Sequence, residues 1–239
     1  VMLVPTADNI LTDKMPHFAP FYDQQELLQL TKTTVGEEHV IDVFATLKEH
    51  AEEPIYYRTD HHWTTLGAYY GYREFAGAYR LPVWNYLNRE PVVVTEDFLG
   101  TLHSKVNMPM KSETIEMFPA TLDKKYTITY DNTKQTDSFY TDSFLEGKNK
   151  YGYFLDDNHG LVEIERDSFF NKELFIIKDS YANSMIPMLA RHYTKIYVVD
   201  LRYFNGKLSD FMQECNTTGN MDVLVLYNCV HFMEDFRFQ

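Results

Sequence analysis

Two short segments of this 239-residue chain carry residues whose types and spacing fit nucleophilic catalysis. The first is Thr59-Asp60-His61-His62-Trp63-Thr64. Asp60 and His62 are two positions apart, so an extended or turning backbone points both side chains the same way. A carboxylate beside an imidazole fixes its tautomer and stabilises the imidazolium that forms when it takes a proton. Trp63 is expected to wall off water or to lie against a sugar ring. The same residues also fit a capped helix start, with Asp60 or Thr64 capping and both histidines solvated. A metal site is disfavoured, because adjacent histidines on a strand face opposite ways and no HxH or HxxxH supports one.

The second segment runs from Phe175 through Lys178-Asp179-Ser180-Tyr181 to Asn183. An apolar strand ends in Asp-Ser and passes into a helix. That puts Ser180 at the carboxyl edge of a parallel sheet, where open α/β folds place their sites, and at a helix start that favours developing negative charge. Asp179 or Ser180 acting only as an N-cap is the competing reading. A third segment, Val225-Leu226-Tyr227-Asn228, also ends a strand in a polar residue. Beside the Ser180 strand, the Asn228 amide would donate to an oxyanion; by itself it is a common turn residue.

Elements able to position these groups alternate at both ends of the chain. Val1–Pro5 and His39–Phe44 read as strands, with helices from about Tyr22 to Thr33, Phe44 to Glu52 and Leu66 to Tyr79. Further on, Leu174–Ile177, Lys195–Val199 and Val223–Tyr227 read as strands, separated by helices at Tyr181–His192 and Leu208–Cys215. Five apolar strands separated by helices predict an α/β fold with a parallel sheet covered on both faces. The middle, about 83–170, is rich in Thr, Asp, Lys and Tyr and alternates at Lys125–Tyr130. A DDNHG turn there predicts a hairpin between Tyr151–Leu155 and Leu161–Glu165. This stretch reads as a β-rich insertion into one domain spanning residues 1–239.

Composition narrows the class. Hydrophobic residues make up 44%, which a disordered chain does not reach. The 22 basic and 35 acidic residues give a formal charge of −13, which argues against nucleic acid and anionic lipid as partners. Cys215 and Cys229 form no zinc spacing or disulfide framework. The chain opens VMLVPTADNI without an initiator Met and reads as trimmed, so any signal or anchor upstream of Val1 would lie outside it.

DHHWT with a downstream KDSYAN resembles the DHHW family of bacterial surface proteins, which is similar to the SGNH-type domain of the alginate O-acetyltransferases. PTADNI, FLGTLHSK at Phe98–Lys105, FLDDNHGLVEI at Phe154–Ile164 and VDLRYF also look like family segments. The resemblance implies an SGNH-hydrolase-like three-layer α/β/α sandwich whose motif order is circularly permuted. It makes Ser180 the nucleophile, His62 the general base and Asp60 its orienter, with no cofactor. Asn228 falls where the oxyanion asparagine would be, and Lys178 stands where G-D-S has its glycine. Backbone N–H groups of Ser180 and Tyr181, or Arg202, are candidates for the second oxyanion donor, and Asn158 and His159 are expected to border the cleft. The implied activity is acetyl transfer to, or ester hydrolysis on, a cell-envelope polysaccharide outside the cytoplasm, with acetyl supplied through a membrane-bound partner. The non-enzyme alternative is a carbohydrate-binding or adaptor module on the same shell.

Overall fold

A computed structural model describes residues 1–106, 108–122, 124–167, 171–216 and 219–235. Among them the chain forms strands β1 (Met2–Val4), β2 (Val92–Phe98), β3 (Glu113–Met117), β4 (Thr127–Tyr130), β5 (Lys134–Thr136), β6 (Leu161–Glu165), β7 (Glu173–Lys178), β8 (Lys195–Val199) and β9 (Met221–Asn228). Seven make one sheet in the order β1-β9-β7-β8-β6-β4-β5, and β2 pairs with β3 separately. Strands β1, β9, β7 and β8 run parallel, while β6, β4 and β5 join antiparallel.

The sequence explains the division. All six residues of β7 are buried, as a parallel strand covered on both faces requires. In β4, Ile128 and Tyr130 are buried while Thr127 is exposed, the alternation of a strand with one wet face. The sheet is therefore mixed rather than parallel throughout, and the middle segment contributes its antiparallel edge. The end of that segment, at residues 168–170, lies outside the described residues.

β7 sits between β8, the next strand in the chain, and β9, which follows β8. The chain thus recrosses β7, and open α/β sheets bind ligands in the crevice at such a crossing, beyond the carboxyl ends of the strands. Register aligns those ends: Ile177 pairs with both Val199 and Val225. β7 leads into Asp179-Ser180, β8 into Asp200-Leu201-Arg202, and β9 closes on Asn228.

Three expected elements differ. His39–Phe44 is no strand: a 3-10 turn covers Glu37–His39, and Asp42 accepts from the N–H of Phe44, the first residue of the next helix, at 3.0 Å and pairs with Lys32 at 2.7 Å. The Tyr181–His192 helix is broken into a 3-10 turn at Ser180–Ser184, a helix at Ile186–Leu189 and a 3-10 turn at Ala190–His192. Pro187 has no N–H to bond back to Asn183, so one continuous helix cannot form. The Tyr151–Leu155 hairpin arm is a 3-10 turn at Lys150–Tyr153. Leu155, Asp156 and Asp157 then follow with φ of 58°, 56° and 73°, a left-handed run that no strand accommodates.

Candidate active site

The DHHW segment forms the end of a narrow hairpin. Tyr57 N–H donates to the His62 carbonyl at 3.2 Å, and Thr64 N–H to the Ile55 carbonyl at 2.9 Å. Glu113 of β3 receives the Arg58 and Thr59 amides at 2.6–3.0 Å, which fixes the hairpin tip. Thr64 then caps the Thr65–Ala78 helix. The turn aims Asp60 and His62 toward the carboxyl end of β7.

There the structure brings three of the sequence-predicted residues together. His62 Nδ1 lies 2.5 Å from Asp60 Oδ1, and His62 Nε2 lies 2.7 Å from Ser180 Oγ. Asp60, His62 and Ser180 are 2%, 4% and 5% exposed, so water competes little for these bonds. Asp60 also accepts from His62 N–H at 3.0 Å and from Thr101 N–H and Oγ1–H at 2.8 and 3.0 Å. Burial alone would raise its pKa, but His62, His61 and the Thr101 amide hold the carboxyl well below its ordinary range. Because ionised Asp60 only accepts, His62 carries its proton on Nδ1 and presents a bare Nε2 to the serine hydroxyl. That is the geometry of a base-activated nucleophile. Asp60, His61 and His62 offer atoms within 4.8 Å of one another. Both His62 nitrogens are nevertheless engaged by Asp60 and Ser180, which favours proton transfer over metal ligation.

Several supporting residues were not singled out as site residues from sequence. Gly100 passes so close that an added Cβ would lie 2.2 Å from Asp60 Cβ. Tyr151 stacks on His62 with ring centroids 3.7 Å apart and 7° between planes. Gly100 and Thr101 lie in the FLGTLHSK segment, which was visible as family-like; their contact with Asp60 crosses about forty residues and is not. His61 does not face away from His62: the rings are 3.8 Å apart, because the segment turns instead of extending. Burial and the neighbouring His62 push the His61 pKa down to about 4.

Ser180 sits at the first residue of its 3-10 turn. Asp179 caps that turn by accepting from Tyr181 N–H at 2.9 Å, so the Tyr181 amide is committed. Among the described residues the Ser180 N–H has no acceptor. Asn228 does not line the cleft. Its amide nitrogen donates to Asp179, and its oxygen caps the Cys229–Glu234 helix through His231 N–H at 3.0 Å. Trp63 is fully buried, its indole donating to the Tyr181 carbonyl at 2.9 Å and packed against Gly71, so it meets no ligand. His159 is held between Asp131 and Asp156 and lines a separate hollow with Tyr203 and Asn205.

Arg202 and Asn158 do reach the cleft, whose volume is about 580 Å³. Arg202 chelates Asp200 at 2.9 and 2.6 Å, while its Nη1 has no acceptor among the described residues. Asn158 Oδ1 accepts from Lys178 Nζ at 3.0 Å and Arg202 Nη2 at 3.3 Å. Lys178, fully buried, also donates to Asn183 at 2.9 Å and pairs with Asp200 at 3.3 Å. Burial lowers its pKa against the pull of Asp200. Lys178 is thus a tether between three loops.

The sequence pattern of the DHHW protein family matches residues 2–199, and the chain belongs to that family. Its structure is similar to a DHHW family protein from Eubacterium siraeum, with TM-score 0.80 and 27% identity, covering 95% of this chain and 76% of that one. It is also similar to Bacillus cereus PatB1 solved with a sulfonyl adduct, with TM-score 0.77 and 22% identity over 96% and 80% of the chains. Pseudomonas aeruginosa AlgX shares the fold at TM-score 0.51 and 15% identity, covering 95% of this chain and 51% of that one. No curated protein matches.

Proposed function

We propose that this domain is a serine-dependent acyl transferase or esterase that moves acetyl groups to or from a cell-envelope polysaccharide outside the cytoplasm. The observation that carries the reading is the unbroken chain Asp60–His62–Ser180, with contacts of 2.5 and 2.7 Å at the carboxyl edge of the sheet. Ser180 Oγ attacks the acetyl carbonyl, and its proton passes to His62 Nε2. The Ser180 N–H and Arg202 Nη1, both without acceptors among the described residues, are the donors for the oxyanion. The leaving alkoxide takes the proton from His62, and the acyl-enzyme passes acetyl to a sugar hydroxyl or to water. Asn228 acts at one remove, by orienting Asp179.

The proposal includes an SGNH-like domain spanning 1–239 with an insertion at about 83–170 and a permuted motif order. The parallel pairing of β1 with β9 supports the permutation, since the first strand lies beside the last. The polysaccharide, the membrane-bound acetyl donor and the location rest on the resemblance to alginate O-acetyltransferases. Among the described residues no helix is long and apolar enough to cross a membrane. The sulfonyl adduct carried by Bacillus cereus PatB1 points the same way, because a sulfonyl group is captured by a nucleophile.

The test is acetate release from a chromogenic ester, with and without a panel of oligosaccharides. Acetylated sugar that disappears in Ser180→Ala supports transfer. Acetate alone, with every acceptor, reduces the activity to an esterase. Neither product leaves a binding module.

A further inference from the structure

We propose that His231 is the acceptor-binding residue of the Ser180 cleft, its Nε2 accepting a hydrogen bond from a sugar hydroxyl beside the one that reacts. The inference rests on the acyl-transfer reading above. The cleft contains a second carboxylate–imidazole pair besides Asp60–His62. Asp179, directly before Ser180 and fully buried, accepts from Tyr181 N–H at 2.9 Å, Asn228 N–H at 3.0 Å, the Asn228 side chain and His231 Nδ1 at 3.1 Å.

An ionised carboxylate only accepts, so Nδ1 of His231 carries the proton in that bond. In the neutral ring Nε2 is then a bare acceptor. No described residue donates to it. The His231 side chain is 35% exposed and lines the same cleft as His62 and Ser180. Its backbone N–H is tied to Asn228 Oδ1, so main chain and ring are both fixed. The ring stands 5.9 Å from that of His61, whose Nδ1 is spent on Thr101 Oγ1 at 2.7 Å. A preorganised acceptor therefore lines the cleft that holds Ser180 and His62, and nothing in the triad chemistry uses it.

Water and a sugar hydroxyl compete for the acyl-enzyme through the same step. The attacking O–H breaks, its proton passes to His62 Nε2, and the new O–C bond forms. The Ser180 Oγ–C bond then breaks and the proton returns to Oγ. His231 gains and loses no proton in this sequence. A polyol can attack with one hydroxyl while a neighbouring one donates to His231 Nε2, whereas a monohydric alcohol or water has no second hydroxyl to place. Holding the polyol in this way raises its effective concentration over water.

The experiment uses His231→Asn and His231→Gln in the full chain, with a chromogenic acetyl ester as donor. The acceptors are methanol and whichever oligosaccharide of a neutral, N-acetylated and uronic panel the unaltered chain acetylates best. Asn keeps an N–H near the Nδ1 position for Asp179 but removes the cleft-facing nitrogen; Gln places an amide near Nε2 and gives up the Asp179 bond. For His231→Asn the ratio of acetyl-sugar to free acetate should fall about tenfold, the worth of one well-made hydrogen bond, mostly through the sugar KM. The ratio of methyl acetate to acetate should stay within about twofold, and His231→Gln should retain more sugar transfer than His231→Asn. An unchanged sugar ratio in His231→Asn, or sugar and methanol ratios falling together, overturns the inference and makes His231 a strut for Asp179. If the unaltered chain gives no Ser180-dependent product, the acyl-transfer reading itself fails, and this inference with it.

Discussion

On the His62 side of the cleft, support comes from close packing and neutral donors; on the Arg202 side it comes from buried ions. Asp60 and His62 are fixed by the Thr101 amide and hydroxyl, the bare backbone of Gly100 and the flat face of Tyr151. Arg202 is fixed by Asp200, which is shared with Lys178, which in turn ties Asn158 and Asn183. The first arrangement sets tautomer and aim, and a small steric change upsets it. The second holds charge in a dry place, where removing one partner strands the others. The comparison implies that damage on the His62 side shows in turnover, whereas damage on the Arg202 side shows first in stability.

Breaking the His62 side directly should have the largest effect. His62→Ala should cost on the order of a thousandfold or more in ester turnover, while His61→Ala, outside the Asp60–Ser180 line, should cost only a few-fold. The reverse ranking, read as kcat/KM on the same ester, contradicts the base assignment. Next comes Gly100→Ala, whose new Cβ would lie 2.2 Å from Asp60 Cβ and must displace the carboxylate or its hairpin. Turnover should drop by about ten- to a hundredfold, with a stability loss of roughly 1–3 kcal/mol in urea melts.

Lys178→Met tests the other side. Asp200 keeps Arg202, so the loss should fall near or below the lower end of the ~3–5 kcal/mol typical of a broken buried pair. Turnover of the protein that remains folded should change less than in Gly100→Ala. A larger loss of turnover than of stability would place Lys178 with the reacting groups. A further effect is a pH dependence. Burial and neighbouring charges push His61 and His192 down to about 4. Each is protonated more readily unfolded than folded, so stability is greatest above about pH 6.5 and declines as pH falls toward 4. His192→Gln should flatten part of that decline in thermal melts taken across the range.

How much of this was legible in the sequence depends on the reach of each interaction. Asp60, His62 and Ser180 could be picked out because each lies in a local pattern, a D-x-H or the polar end of an apolar run. Trp63 looked available because it adjoins His62, yet Gly67 and Gly71 in the next helix were the local sign that something large packs there. Asn228 was right in its position beside β7 and wrong in its partner, because Asp179 takes the amide that an oxyanion would need. Tyr151 and Thr101 meet the histidines only through tertiary packing across tens of residues, and no spacing rule reaches that far. In the fold, β7 and β8 declared themselves by continuous apolar runs. The mixed character of the sheet did not, because alternation in β4 and β6 fits a separate hairpin as well as an edge of the main sheet.

The central claim is that His62 and Asp60 make Ser180 a nucleophile. It is tested most directly by treating the chain with a sulfonyl fluoride and locating the adduct by peptide mass mapping, in the unaltered chain and in Ser180→Ala, His62→Ala and Asp60→Asn. The account predicts one adduct, on Ser180, absent in Ser180→Ala and formed at least about a hundredfold more slowly in the other two variants. Labelling of Ser180 at the same rate without His62, or labelling confined to other residues, would contradict it.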